Sequence, residues 1–510
     1  LIPPKRGYCQ PMTTNKYIKA VSYNIAYFLV SSLAYLVLTP IAIRVMGGEF
    51  YGLWMILFAV GQLSLIGTLG IETIVNKFAA EVKETHGADA NLLSSAILVT
   101  LAMAFIVAAI LFTFRGFLAQ RIGPSPAHLT QFKNALAVYS LMIIPQFTIR
   151  VFHGFFLAQI MNRFVRLMDL LNSLLPLLGG VILSLVAQNL TLLALWNLFV
   201  SLIVLGVFLF RTYRLIGLRW LPTRVTTRRL LGFSPFMFIE SAAINLFQQF
   251  DRLLVALMLG PAASGIYSVA TGVGLRMSII AGSVTEVLLP YASRKHSLGE
   301  KHKLENIVLK VTRYISLMAA LVGGLLIIWM KELLTVWISP QYAEANALFF
   351  CVIILAYSIL SLSRPAHQTL VGLGKVRFTS LVYLGSAALM LVTLCLLSMT
   401  RGLLGAGYAN LVMTLLLCMS LYLFKWFEDD QVWRYFATDL ILGMMPLVVA
   451  LILVGMRCAL PLKWVFTIGL LGLVFFVLAR DDELKARLKR LVTGSALAKS
   501  SERGSQVKDK

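Results

Sequence analysis

The sequence predicts an all-α polytopic membrane protein with about fourteen transmembrane helices, and three observations carry that prediction. Of 510 residues, 59% are hydrophobic and only 13% charged, against about 25% charged in soluble domains. Mean hydropathy is +0.84, more apolar surface than one water-soluble core can hide. The apolar residues fall in runs of about 20 separated by short polar breaks, the length that crosses a bilayer core. The net charge of +23 raises a nucleic-acid partner, but most basic residues sit in short loops between apolar runs. They describe membrane topology, and no nucleic-acid partner is expected.

Spans are expected near 20–42, 51–72, 92–114, 134–158, 167–188 and 191–211. A second six follow near 234–259, 264–290, 306–330, 344–370, 378–399 and 403–425, then a final pair near 435–458 and 463–480. Basic residues precede the first span, which is too long for a signal core and is followed by no small-residue cleavage site, so it should stay attached; Met12 is the expected start. With the N-terminus inside and sides alternating, 31 of the 45 Lys and Arg fall inside, eight outside and six within spans. The positive-inside rule then puts both termini in the cytoplasm of a multi-pass protein.

An internal repeat divides the chain. Segment 38–61 laid on 251–274 matches Gly47 with Gly260, Gly52 with Gly265, Val60 with Val273 and Gly61 with Gly274, all 213 apart. Segment 150–164 on 364–378 matches Arg150 with Arg364, His153 with His367, Arg163 with Arg377 and Phe164 with Phe378, all 214 apart. Six spans separate the copies, so both keep one orientation, and a parallel pseudo-two-fold along the membrane normal is expected. The organisation expected is a cytoplasmic N-terminus (1–19), a six-helix bundle (20–215), a basic linker (216–233), a second six-helix bundle (234–430), two extra C-terminal helices (431–480) and a basic tail (481–510). In the tail Leu484, Leu488, Leu491 and Val492 alternate with Lys485, Arg487, Lys489 and Arg490, a pattern suited to an amphipathic helix on anionic lipid. The last dozen residues are expected to be disordered.

Soluble-enzyme motifs are absent, and the longest outside loop, about 115–133, is too short for a catalytic domain. Five cysteines without metal spacing predict no metal site, and no cofactor is expected. What remains is ionisable groups inside spans, which are costly in lipid and mark a cavity or an ion pair. The bases are Arg150, Arg252, Arg276, Lys310, Arg313 and Arg364; the acids are Asp169, Glu240, Asp251 and Glu286, with Glu72 at a span end. Lys310 and Arg313 are expected to snorkel to water. At 100° per residue, Ser241, Asn245, Gln248 and Arg252 form one stripe on the seventh span, as Asn24, Ser31 and Tyr35 do on the first. The fourth span stacks Gln146, Arg150 and His153, the tenth offers Arg364 and His367, and Gly272, Arg276 and Ser283 share a face of the eighth. Arginines converging on a wet chamber suit an anionic ligand, because guanidinium pairs with phosphate by parallel hydrogen bonds. Asp251, Glu240 and Glu286 are each open to two readings, an ion-coupling site or a counter-ion.

The run RVMGGEFYGLW at 44–54, GTLGIETIVNKFAAE at 67–81 and QFDRLLVALMLGPAASGIYSVA at 249–270 resemble the oligosaccharide-flippase family, the O-antigen flippase type. Its superfamily also holds multidrug and toxin extruders and the lipid II flippase. The resemblance covers roughly residues 16–480. It implies two six-helix bundles around a cationic cavity, working by alternating access in the bacterial inner membrane as a transporter and not an enzyme. The implied cargo is an undecaprenyl-pyrophosphate-linked oligosaccharide destined for surface polysaccharide, exchanged against H⁺ or Na⁺. Glycan polymerase and chain-length machinery are the implied neighbours. On that resemblance Arg150, Arg252, Arg276 and Arg364 engage pyrophosphate or acidic sugar, with His153, His367, Asn24 and Gln248 beside them. The alternative is a multidrug or toxin cation antiporter of the same superfamily, which would need acids rather than arginines facing the cavity.

Overall fold

The structure, a computed structural model, describes residues 14–479 apart from 69, 86–89, 160, 217–221, 224–225, 228–241, 243–244, 287, 428–429 and 457–458. Every regular element among the described residues is helical, as a chain whose backbone polar groups must be satisfied inside lipid requires. The first repeat holds α1 (Thr14–Met46), α2 (Gly48–Ser64), α3 (Ile71–Thr85), α4 (Ala90–Ile122), α5 (Pro126–Ala158), α6 (Asn162–Val186) and α7 (Leu190–Ile216). The second opens with a π-helical turn, Leu246–Phe250, running into α8 (Asp251–Leu259). It continues with α9 (Pro261–Thr285), α10 (Leu288–Ser297), α11 (Lys301–Met318), α12 (Gly324–Ile328) and α13 (Met330–Trp337). Next come α14 (Pro340–Gly372), α15 (Val376–Ala409) and α16 (Cys418–Phe427), and the appended pair is α17 (Asp430–Gly455) with α18 (Leu460–Ala479).

Eleven stretches among the described residues are long and apolar enough to span a membrane. One of them, Val376–Phe427, is 52 residues long and turns at Gly402, where φ is +58°, so it makes two crossings. The polar stripe of α9 keeps that 25-residue helix off the apolar set although its length suffices. The first part of the expected seventh span, 234–241 with 243–244, lies outside the described residues, as do the linker at 216–233 for most of its length and the tail at 481–510.

Helix boundaries repeat with the sequence register. α5 and α14 are both 33 residues and start and end 214 positions apart, each entering through a serine followed by proline at the first turn; Ser339 Oγ caps the second by accepting from Tyr342 N at 3.2 Å. Gly47 and Gly260 turn the chain into α2 and α9 with φ of +75° and +87°, a conformation open to glycine. The two repeats meet where α2 crosses α9. A Cβ on Gly52 would stand 1.9 Å from the Pro261 carbonyl oxygen, and one on Gly265 would stand 3.1 Å from Gly52 Cα and 3.3 Å from the Gly48 carbonyl oxygen. Gly52 with Gly265 and Gly48 with Pro261 are each 213 apart, so the contact is its own counterpart across the pseudo-two-fold.

Two departures from the expected spans have local causes. Residues 73–91, expected as a loop, contain most of α3, which buries Ile71, Ile74, Val75 and Phe78 in a cluster with Phe152, Phe155 and Phe156 of α5; a 15-residue one-sided helix escapes a search for 20 apolar residues. The ninth span is broken by a π turn at Ala319–Gly323 and again at Trp329. There a Cβ on Gly323 would meet Ser358 Oγ at 2.4 Å and Leu447 Cδ2 at 2.8 Å, so the gap lets α17 sit close. The appended helices are tied on by Arg313 Nε to Asp439 Oδ1 at 3.0 Å and by Trp329 Nε1 to Thr467 Oγ1 at 3.1 Å. Outward faces stay apolar, with Val186 84% and Phe475 74% exposed, the surface lipid covers.

Candidate functional site

The stripes predicted on the first and eighth spans face one another. Ser31 and Tyr35 of α1 and Gly272, Arg276 and Ser283 of α9 line a cavity of about 510 Å³ between the repeats. Gln62 of α2 and Arg166 of α6 complete the first-repeat wall, and Gln249, Arg252 and Glu286 the second. The polarity of this wall follows from helix geometry, since residues three and four apart on facing helices share one side.

Three guanidinium groups and one carboxylate line the space among the described residues. Arg276 lies flat on the Tyr35 ring with Cζ 3.6 Å from its centroid, and its Nη1 donates to the Gly272 carbonyl oxygen at 2.5 Å. A Cβ at Gly272 would fall 2.2 Å from Tyr35 Oη, so that glycine makes the stack sterically possible. The Nε atoms of Arg276 and Arg252 have no hydrogen-bond partner, nor has Gln249 Oε1. Among the described residues neither Arg252 nor Arg276 forms an ion pair with a carboxylate. The two Nε atoms are buried donors left unsatisfied, and the guanidiniums that carry them line the cavity, where an anion would meet their charge.

The remaining predicted residues are placed elsewhere. Asp251 is 0% exposed and accepts from Tyr267 Oη at 2.7 Å, while Asn410 Nδ2 donates to that same hydroxyl at 2.8 Å; it is a structural member of α8 packing and does not line the cavity. Arg150 pairs with Glu72 at 3.2 Å, and His153 lies between Glu72 at 2.8 Å and Asp169 at 3.1 Å. Arg364 donates through Nε and Nη2 to Ser278 Oγ at 3.1 and 2.8 Å, and His367 sets its ring edge-on to Tyr383 at 5.1 Å. The expectation that Arg150 and Arg364 share the chamber with Arg252 and Arg276 therefore meets a different geometry: each turns toward a partner within its own repeat. Asn24 lies on α1 and Gln248 in the π turn, with side chains outside the described set, and Glu240 lies outside the described residues. Sequence reasoning missed Arg166, assigned to a loop one position before the fifth span. It also missed Gln249, which the π turn carries onto the wall.

One end of the cavity is closed by contacts between repeats. Arg44 at the end of α1 donates through Nη2 and Nε to the Ile338 carbonyl oxygen at 2.7 and 3.1 Å, and Trp337 Nε1 donates to the Leu36 carbonyl oxygen. The Gly52–Gly265 crossing lies on that side. At the other end Glu286 is exposed and Arg166 keeps 29% of its side-chain surface.

The sequence profile of the family described as "Polysaccharide biosynthesis protein" matches residues 18–296, more than half of the chain. The protein belongs to that family. A Shigella flexneri protein named "Putative O-antigen transporter" is 22% identical over 200 residues, 39% of this chain and 47% of that protein, so the match spans about half of the relative's length. In fold this family member is similar to the lipid II flippase MurJ in an inward closed conformation, with a TM-score of 0.67 at 11% identity, covering 89% of this chain and 99% of that one. It is also similar to an inward-facing multidrug-resistance transporter of the MATE family, with a TM-score of 0.64 at 12% identity over 81% and 98% of the two chains. The family is one of polysaccharide biosynthesis, and the fold is the one shared with these solved transporters.

Proposed function

We propose that the protein flips an undecaprenyl-pyrophosphate-linked oligosaccharide, an O-antigen or similar surface-polysaccharide unit, from the cytoplasmic to the outer leaflet of the bacterial inner membrane. The observation that carries this reading is the pair of cavity guanidiniums, Arg252 and Arg276, that lack a carboxylate partner among the described residues. A guanidinium half withdrawn from water without a direct ion-pair partner is costly unless a ligand supplies the charge, and pyrophosphate does so with the geometry guanidinium prefers. Hydroxyls and amides of Ser31, Tyr35, Gln62 and Gln249 on the same wall suit sugar hydroxyls. At about 510 Å³ the space is that of an ordinary ligand pocket. It takes the head group and first sugars, and the polyprenyl chain stays in the bilayer.

With both termini cytoplasmic, as the charge count predicts, the open end of the cavity is cytoplasmic and the Arg44–Ile338 end extracytoplasmic. An inside-negative potential favours outward movement of an anion by about 2.3 kcal/mol per charge per 100 mV. Of the ion-coupling candidates, Glu286 lies on the cavity wall, whereas Asp251 is shut in. The fold also fits a multidrug cation antiporter, and Glu286 is the residue that favours it; three arginines on the same wall oppose a cationic cargo. Deleting the gene separates the two: accumulation of lipid-linked glycan with unchanged dye resistance supports the flippase, and the reverse supports the extruder.

A further inference from the structure

A second, smaller void of about 60 Å³ lies inside the first repeat. Phe58 and Gln62 of α2 line both this void and the chamber, so the two spaces adjoin. Helical spacing brings polar groups to it from three further helices: Tyr139 and Gln146 on α5, Asn172 on α6, and Asn197 with Ser201 on α7. None of the lining residues is charged.

Part of this polar lining is spent on itself. Gln146 Nε2 donates to Ser201 Oγ at 2.8 Å and to Asn172 Oδ1 at 3.3 Å. Ser201 Oγ donates to the Asn197 carbonyl oxygen at 2.9 Å, and Asn197 Nδ2 to the Leu193 carbonyl oxygen at 3.0 Å and to Tyr139 Oη at 3.3 Å. Among the described residues Gln146 Oε1 is left over as an acceptor and Asn172 Nδ2 as a donor. Asn197, 2% exposed, keeps an Oδ1 with no hydrogen-bond partner.

Amides between membrane helices can serve simply to hold the helices together. The second repeat packs its corresponding helices without them. At 213 or 214 positions further on, Leu275 stands for Gln62, Leu360 for Gln146 and Ser386 for Asn172, and Leu360 and Ser386 are both buried. The amides at these three positions therefore belong to the first repeat and to something other than the shared architecture.

We infer that the void is a subsite for the acetamido group of the cargo's first sugar, the one joined to pyrophosphate, and that Gln146 and Asn172 read that group. The inference rests on the flippase reading, which puts the glycan in the adjoining chamber. An acetamido group has four heavy atoms, and 60 Å³ has room for about four water-sized atoms. Its N–H needs an acceptor and its carbonyl a donor, which Gln146 Oε1 and Asn172 Nδ2 supply. Its methyl meets Leu65, Met142 and Pro176 on the same lining. A sugar hydroxyl would fill one place and leave the rest to water. A uronic carboxylate or a metal cation would bring a charge that no lining residue balances. Gln62 is exposed and stands on the boundary, where its side chain can turn aside to admit the group.

The test uses the full-length protein in lipid nanodiscs and two polyprenyl-pyrophosphate lipids that differ only in the sugar, N-acetylglucosamine or glucose, each titrated directly for binding. The N-acetylglucosamine lipid is expected to bind at least about tenfold more tightly, because its absence leaves buried polar groups unpaired. Gln146→Leu with Asn172→Ser, the residues of the second repeat at these places, should bring the ratio to about one. Asn172→Ser alone, a smaller change at a half-buried position, should narrow it, with thermal melting reporting the fold of both variants. Equal affinities in the wild type, a preference for glucose, or a wild-type ratio in either folded variant overturns the subsite and leaves the cargo reading standing. Binding of neither lipid by folded wild-type protein removes the cargo reading and the subsite with it.

Discussion

Replacing Gly52 with alanine tests the crossing that joins the repeats. The new Cβ would lie 1.9 Å from the Pro261 carbonyl oxygen, and a carbon and an oxygen need more than about 3 Å, so α2 and α9 must separate by roughly 1 Å or more. The obstacle is backbone at the first turn of α9, which no rotamer change can clear. Overpacking of this kind costs about 1–3 kcal/mol, and the upper end, roughly a hundredfold in an equilibrium constant, is expected here. Gly265→Ala meets its nearest atoms at 3.1 Å and should cost less, and Gly48→Ala, with Ala262 Cβ at 3.9 Å, should be neutral. Thermal unfolding of the three purified variants in one detergent, with cysteine accessibility at the closed end, reads the order directly. Equal stabilities for Gly52→Ala and Gly48→Ala would refute the reasoning that the repeats touch through these glycines.

Other outcomes follow from particular contacts. Arg252→Gln or Arg276→Gln each removes charged hydrogen bonding to a phosphate, about 1.5–3 kcal/mol, and should weaken binding of a lipid-linked pyrophosphate about 10- to 150-fold in a direct binding titration. Lys303→Ala loses a bond to Glu300 at 3.0 Å on an exposed face and should leave surface glycan at the wild-type level. Arg313→Met strands Asp439, which is 1% exposed, and should destabilise by about 3–5 kcal/mol. Asp439→Leu leaves a guanidinium that is 37% exposed and can turn to water, so it should cost less when the melting temperatures are compared. Arg364→Ala loses two bonds to Ser278 and should lower surface glycan in proportion to the folded protein recovered; weakened cargo binding in a well-folded variant would return Arg364 to the binding wall.

Much of this architecture can be read from the chain because lipid imposes simple rules. Apolar run lengths gave the spans, and two short alignments gave the repeat, whose register reappears in the ends of α5 and α14. Arg276 and Ser31 were legible as cavity residues since regular helices keep a 100° phase. What could not be read was side-chain direction within a polar pair. Arg150 and Arg364 stand on largely buried helices, yet Glu72 and Ser278 claim them, and neither partner is near in sequence. The π turn before α8 and the amphipathic α3 escaped for a related reason: both are set by tertiary packing, which overrides a local periodicity.

The central claim is that a chamber with unpaired arginines carries a lipid-linked glycan across the membrane. The most direct measurement reconstitutes the purified protein into vesicles with a fluorescent lipid-linked oligosaccharide in the inner leaflet and follows its exposure to an external lectin. The account predicts exposure that depends on the protein and drops to the protein-free rate in the Arg252→Gln, Arg276→Gln double variant. Full protection of the glycan in the presence of folded wild-type protein, or an unchanged rate in the double variant, would contradict it.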